Sequence, residues 1–220
     1  VSRRGGLLLQ AGRPAEAREA LITATQTLPE NPTVWSNLGL AELRLGNAAA
    51  AVAAVRRALS LDPELLEARE NLAIALERQG DVAGAAAQRA EASSIRDRLA
   101  RAHFEAGRQL LESGYAERAS VELERAAALA PGSANSQYLL GVAYNALEAW
   151  GLAEGHLGRA LALDPRHPYA LLELAHAQLG LEHRADARAT LLSFLATSPE
   201  PKWEAVARRT LASASAGEAP

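Results

Sequence analysis

The chain of 220 residues is 49% hydrophobic, 22% charged and only 4% aromatic, with a formal net charge of −3. That balance gives no overall electrostatic footprint for nucleic acid, and no stretch carries the roughly 18 unbroken apolar residues of a membrane span. The absence of cysteine excludes disulfides, thiol catalysis and cysteine-ligated zinc together.

The chain has no methionine and begins at Val1, which points to a segment removed ahead of it: a signal peptide, a tag or a preceding domain. A signal peptide would imply a periplasmic or extracellular protein; otherwise the cytoplasm is expected. Arginine supplies 22 of the 23 basic residues, Lys202 being the exception, a composition that suits a GC-rich bacterial genome.

Taken in order, residues 1–31 open with the apolar run Leu7-Leu8-Leu9 and no polar cap. In residues 32–65, Trp35, Leu38, Leu43 and Leu45 recur at helical spacing until Gly46-Asn47 interrupts. Glycine suits the left-handed stop of one helix, and Asn or Asp the cap of the next. Ala51, Val55, Ala58 and Leu59 mark a second helix, and Asp62-Pro63 ends the unit. Residues 66–99 repeat the device at Gly80-Asp81 but place Arg89 in a mostly Leu/Val column and Asp97 where the closing proline belongs. Ser94-x-x-Asp97 resembles a capping box. The segment 81–113 is therefore expected to form one bent helix or to break near Ser93–Asp97, with the loosest contact between units. Residues 100–133, 134–167 and 168–199 follow, with Pro168 opening a helix at its first position. Glu148 and Glu182 replace the mid-unit glycine, so those two turns are expected to be built differently. Trp203-x2-Val206-Ala207 reads as a seventh opening brought two residues early, giving a capping helix over 201–214. Residues 215–220 read as a disordered tail or linker. The count is thirteen helices and no strand.

The units share one ruler. RALSLDP (57–63) and RALALDP (159–165) lie 102 residues apart, three times 34. Ala17, Ala51, Ala85, Ala119, Ala153 and Ala187 keep the 34-residue spacing without a gap. So do the small column Gly5, Gly39, Ala73, Gly107, Gly141, Ala175 and the column Ala24, Ala58, Ala92, Ala126, Ala160, Phe194. Small residues at a crossing let helices reach the near end of the usual 8–10 Å axial spacing. A helix pair of this size cannot bury its apolar face alone, so the pairs must stack.

Trp35-x2-Leu38-Gly39, Ala51, Ala58 and Pro63, and again Leu140-Gly141-x2-Tyr144, Ala153, Ala160 and Pro165, resemble the tetratricopeptide-repeat pattern position by position. The resemblance covers about residues 1–199 and implies an all-α, right-handed α-solenoid over 1–214, whose first helices line a concave groove that binds a protein or peptide. It also implies the groove positions. The third unit offers Glu67, Glu70, Ile74 and Glu77, an acidic stripe, and the fourth offers Arg101, Phe104, Arg108 and Leu111; the two stripes can neutralise each other. In the fifth and sixth units Asn135, Tyr138, Asn145, Tyr169 and His176 have no obvious internal partner. The expected peptide contact is therefore Arg101, Phe104, Arg108, Asn135, Tyr138, Asn145, Tyr169 and His176. The lysines with which some family members clamp a C-terminal carboxylate are absent.

No catalytic, cofactor or metal site is expected. The five histidines make no metal-ligand pair on one helix; His167 reads as a solvated turn residue and His103, in the Trp35 position, as packing. The leading reading is a non-enzymatic interaction or scaffold module. Its rivals are a building block that self-associates through its ends, motivated by Leu7–Leu9, and the regulatory arm of a larger enzyme.

Overall fold

The computed structural model describes residues 2–197 and 199–216. Twelve α-helices and no strand occur among them: α1 (Ser2–Gln10), α2 (Pro14–Thr27), α3 (Pro32–Arg44), α4 (Ala48–Leu61), α5 (Leu66–Arg78), α6 (Val82–Glu112), α7 (Ala116–Leu129), α8 (Ala134–Ala146), α9 (Trp150–Leu163), α10 (Pro168–Gly180), α11 (Arg184–Ala196) and α12 (Pro201–Ala216). The expected thirteen become twelve because α6 runs unbroken for 31 residues through the place where a unit should end. With Asp97 instead of proline, every backbone donor there stays available to the helix, and the Ser94–Asp97 box caps nothing. At the other end α12 extends to Ala216, beyond the expected 214; of the expected tail, 217–220 lie outside the described residues.

The chain divides into two compact units, one ending at Arg96 and the other starting at Asp97, so α6 contributes its first half to one and its second half to the other. In the first unit α1 to α5 pack as successive antiparallel neighbours. One core joins Leu9, Leu21, Val34 and Leu38, and the next joins Leu43, Val55, Leu72 and Leu76. Leu8 and Leu9 both serve this core, leaving Leu7 as the exposed member of the expected apolar end. In the second unit α7 to α10 enclose Leu123, Leu140, Tyr144 and Leu157, and Phe194 and Ala207 seal α10 and α11 against α12. Ala207, not Arg209, continues the small column after Ala175 and is fully buried. The last helix therefore enters two residues early.

The small column sets the pairing within each unit. A Cβ added at Gly5, Gly39, Gly107 or Gly141 would lie 2.3–2.5 Å from Leu21, Val55, Leu123 or Leu157, each sixteen residues further on. The third pair lacks that wedge: Arg89 stands in its place and turns outward to an ion pair with Glu77.

Every mid-unit turn uses one geometry. Gly12, Gly46, Gly80 and Gly114 have φ of +71° to +84° and donate to the carbonyl three residues back, and the following residue donates five back. This is a Schellman stop. Glu148 and Glu182 were expected to force another construction, yet they take φ +56° and +62° and make the same pair of bonds, Glu148 to Asn145 and Ala149 to Tyr144, Glu182 to Leu179 and His183 to Gln178. Glutamate pays a left-handed strain that glycine avoids. At the helix starts, Asp81 accepts from the Gly84 N–H at 2.8 Å, whereas Asn47 makes no such cap and its amide donates to Glu42 instead.

Two outcomes are expected in thermal and urea unfolding. Glu148→Gly and Glu182→Gly should each stabilise by about 0.5–1 kcal/mol, the relief of strain exceeding the added chain entropy. Asp97→Pro restores the proline of the repeat pattern but should cost about 3 kcal/mol or more, because it removes an intrahelical bond and clashes one turn back. A neutral Asp97→Pro would show that α6 is not continuous there.

Candidate functional site

Arg101 and Phe104 lie on the second half of α6, and Asn135 on the first turn of α8. Together they line a small pocket of about 170 Å³ that also takes in Ser133 and Ser136. Ser133 caps α8 by accepting from the Ser136 N–H at 3.1 Å. Arg101 Nε reaches the Asp97 carbonyl oxygen at 3.3 Å, and its guanidinium has no carboxylate partner among the described residues. Arg108 is different: Glu105 and Glu112 on its own helix hold it at 2.9 and 2.5 Å.

The acidic stripe finds partners within the first unit. Glu70 pairs with Arg96 and Glu77 with Arg89, both on the first half of α6.

The aromatic and amide residues of α8 and α10 are not free of internal partners. The Tyr138 ring lies 4.6 Å from His167 and 6.5 Å from Tyr169, and Tyr169 meets Trp203 of α12 edge-on at 6.0 Å. Burial, the Glu173 carboxylate and Tyr169 push the Tyr138 hydroxyl up to about 12. Asn145 is buried, and its amide nitrogen donates to the Glu173 carbonyl at 3.0 Å and the Glu173 carboxylate at 2.8 Å. His176 packs on Trp150 at 5.3 Å and sits 3.9 Å from Glu173.

His167 is not the solvated turn residue it was expected to be. It is 8% exposed, its Nδ1 accepts from the Ala170 N–H at 3.0 Å, and its Nε2 lies 3.3 Å from Asn135 Oδ1. An accepting Nδ1 places the proton on Nε2, which donates to Asn135. The signal lay in the ruler: Asn31, Ser133 and His167 occupy one column before a helix start, and each caps its helix. His103 is partly buried, with Nδ1 2.6 Å from Glu122. Glu173, which holds both Asn145 and His176, was missed because a lone glutamate in a periodic helix carries no local signature.

A second polar knot lies away from that face. Tyr144 donates to Glu124, stacks on His156 at 5.4 Å, and His156 Nδ1 lies 2.9 Å from Gln137. No group of three or more potential metal ligands occurs among the described residues, and none of the described helices is long and apolar enough to cross a membrane.

A tetratricopeptide-repeat profile matches residues 3–65 and 49–95. This match supports a tetratricopeptide-repeat assignment for residues 3–95, and the helical pairs, the left-handed stops and the small crossing column continue beyond them. Among solved structures it is similar to the TPR2AB domain of yeast Sti1 in its pHSP90 complex, with 18% identity, a TM-score of 0.50, and coverage of 97% of this chain and 96% of that one. It is also similar to the second TPR domain of human RPAP3 in complex with an HSP70 peptide, with 21% identity, a TM-score of 0.51, and coverage of 55% of this chain and 98% of that one. At these identities the likeness is one of fold. No curated protein matches the chain significantly.

The pKa shifts have opposite signs at the two histidines. Glu173 raises His176 above its ordinary 6.5. Burial acts to raise Glu173, but His176 and Asn145 together hold it below its ordinary 4.5. His176 thus stabilises fully below its unfolded value and loses that contribution as pH rises through its folded one. Glu173 does the reverse, contributing above 4.5 and losing it as pH falls. Burial, followed by the Arg159 charge, lowers His156, so its contribution is present above 6.5 and lost on acidification. In urea unfolding, the stability lost in His176→Gln should be largest near about pH 5.5 and fade toward about pH 8. The loss in His156→Gln should instead shrink as pH falls. Parallel trends would contradict both assignments.

Proposed function

We propose that the protein is a non-enzymatic interaction module whose second unit binds a peptide segment along the face formed by α6, α8 and α10, anchored at Arg101, Phe104 and Asn135. The single observation that carries this reading is the contrast between two arginines. Arg108 is held by two carboxylates of its own helix, whereas Arg101 is left without one beside a phenylalanine ring and a first-turn asparagine. An unpaired guanidinium next to an apolar wall suits an acidic side chain or terminal carboxylate adjoining an apolar residue. Tyr138 and Tyr169 extend the strip as large, stiff contact area at small entropic cost. Asn145, being buried on Glu173, acts as a support for the strip and not as a contact.

Random heptapeptides selected on the wild-type protein should be enriched in Asp or Glu beside an apolar residue. Arg101→Glu should weaken the selected peptide by about 1–3 kcal/mol in calorimetry, and added salt should weaken the wild-type complex. Arg108→Glu should do much less. Selected peptides that bind Arg101→Glu as tightly as wild type would overturn the assignment.

A further inference from the structure

A wider cleft of the second unit lies elsewhere, at the junction of the α9–α10 turn, the end of α11 and the start of α12, with a volume of about 840 Å³. Its origin is in the sequence. The column that places Ala24, Ala58, Ala126 and Ala160 at the close contact has Phe194 there, fully buried. The other second helices end on a non-helical residue, with φ of −128° to −138° and ψ of 60° to 97° at Leu28, Asp62, Ala130 and Asp164. Thr197 instead stays helical at φ −75° and ψ −3°. The bulkier floor and the altered stop bring α12 in two residues early and leave the space open.

The chemistry of its walls is specific. Tyr169 and Trp203 meet at 81° and form two perpendicular aromatic faces over Phe194. At the equivalent place in the first unit, Trp35 Nε1 donates to the Pro29 carbonyl oxygen at 2.8 Å. Trp203 Nε1 and the Tyr169 hydroxyl have no hydrogen-bond partner among the described residues, and neither is sealed from solvent. Arg166 and Glu200, both exposed, line the same cleft without an ion-pair partner among the described residues.

We propose that this cleft is a second binding site, separate from the Arg101 pocket although Tyr169 borders both the cleft and the strip extending from that pocket, for an extended proline-containing peptide segment with an acidic residue at one end and a basic residue at the other. A polyproline II segment has no internal hydrogen bonds, so its carbonyls are free to accept from Trp203 Nε1–H and the Tyr169 hydroxyl. Its rings stack on aromatic walls with little ordering cost. The uncompensated charges of Arg166 and Glu200 complement the two ends. A volume of about 840 Å³ lies within the range that encloses a ligand of this size.

The test follows the indole N–H resonances of the three tryptophans by nitrogen–proton correlation, with Trp203 assigned from Trp203→Phe. The probe is the peptide acetyl-Glu-Pro-Pro-Pro-Pro-Arg-amide, and the control replaces its prolines by alanine. The Trp203 resonance should move saturably with the probe, and the control should bind at least about tenfold more weakly. Ser193→Trp, at an exposed position on the cleft wall, should abolish the shift, and Arg166→Glu should weaken binding about fivefold. Arg101→Glu should leave the titration unchanged, which separates this site from the groove reading. A Trp203 resonance that does not move, an alanine control that binds equally, or a shift lost in Arg101→Glu and kept in Ser193→Trp would each overturn the proposal.

Discussion

The structure depends on one contact: the closest approach of the two helices in each pair. A glycine or alanine on the first helix receives a leucine or valine sixteen residues later on the second. At Gly39 and Gly141 no room remains even for a methyl group. Each wedge residue is fully buried, as at Leu21, Val55, Leu123, Leu157 and Leu191, and burial of that kind is worth about 1.5–3 kcal/mol per side chain. With the wedge in place the rest of the interface can be alanine, which explains how a chain with 4% aromatics builds continuous cores. The left-handed stop follows from the same demand, since the chain must reverse within a few residues to return sixteen positions later to the contact. That demand is strong enough to hold Glu148 and Glu182 in a conformation their side chains disfavour.

Where the wedge is missing, the architecture changes. Arg89 cannot enter the crossing opposite Ala73, and it takes an exposed ion pair instead. The same pair loses its closing proline at Asp97, and its second helix continues as the first helix of the next pair. First-unit pairs are tied by another device. Arg44 and Arg78, 34 residues apart, donate to the carbonyl oxygens of Leu9 and Leu43 at the ends of the preceding first helices. A cation at a helix C-terminus satisfies carbonyls that the helix leaves open. The second unit has Glu112, Ala146 and Gly180 at these positions and relies on side-chain knots around Glu173 and Tyr144.

The period, the helix pairs and the two-residue shift of α12 were legible in the sequence because each is a repeated local rule. The fusion at Asp97 was legible only as an alternative: a missing proline permits continuity without requiring it. Glu148 and Glu182 misled because the residue type was weighed above the bonds the turn must make. The partners of Tyr138, Asn135 and Asn145 were not legible at all. They come from His167 and Glu173, one repeat away, and a single periodic sequence marks which residues face the same side without saying which of them touch. The Phe194 substitution was visible, but its consequence, an open cleft beside Trp203, required the geometry of the stop at Thr197.

The wedge account is tested most directly by a pair of alanine substitutions in the same helical hairpin. A Cβ added at Gly141 would lie 2.4 Å from Leu157, whereas one added at Gly155, exposed in the middle of α9, would meet nothing within 4 Å. Urea unfolding of Gly141→Ala should show a loss of about 1–3 kcal/mol from overpacking. Gly155→Ala should show a gain of about 0.5–1 kcal/mol from helix propensity. A gain of similar size in both variants would show that the crossing has room to spare and that the pairs are not set by this contact.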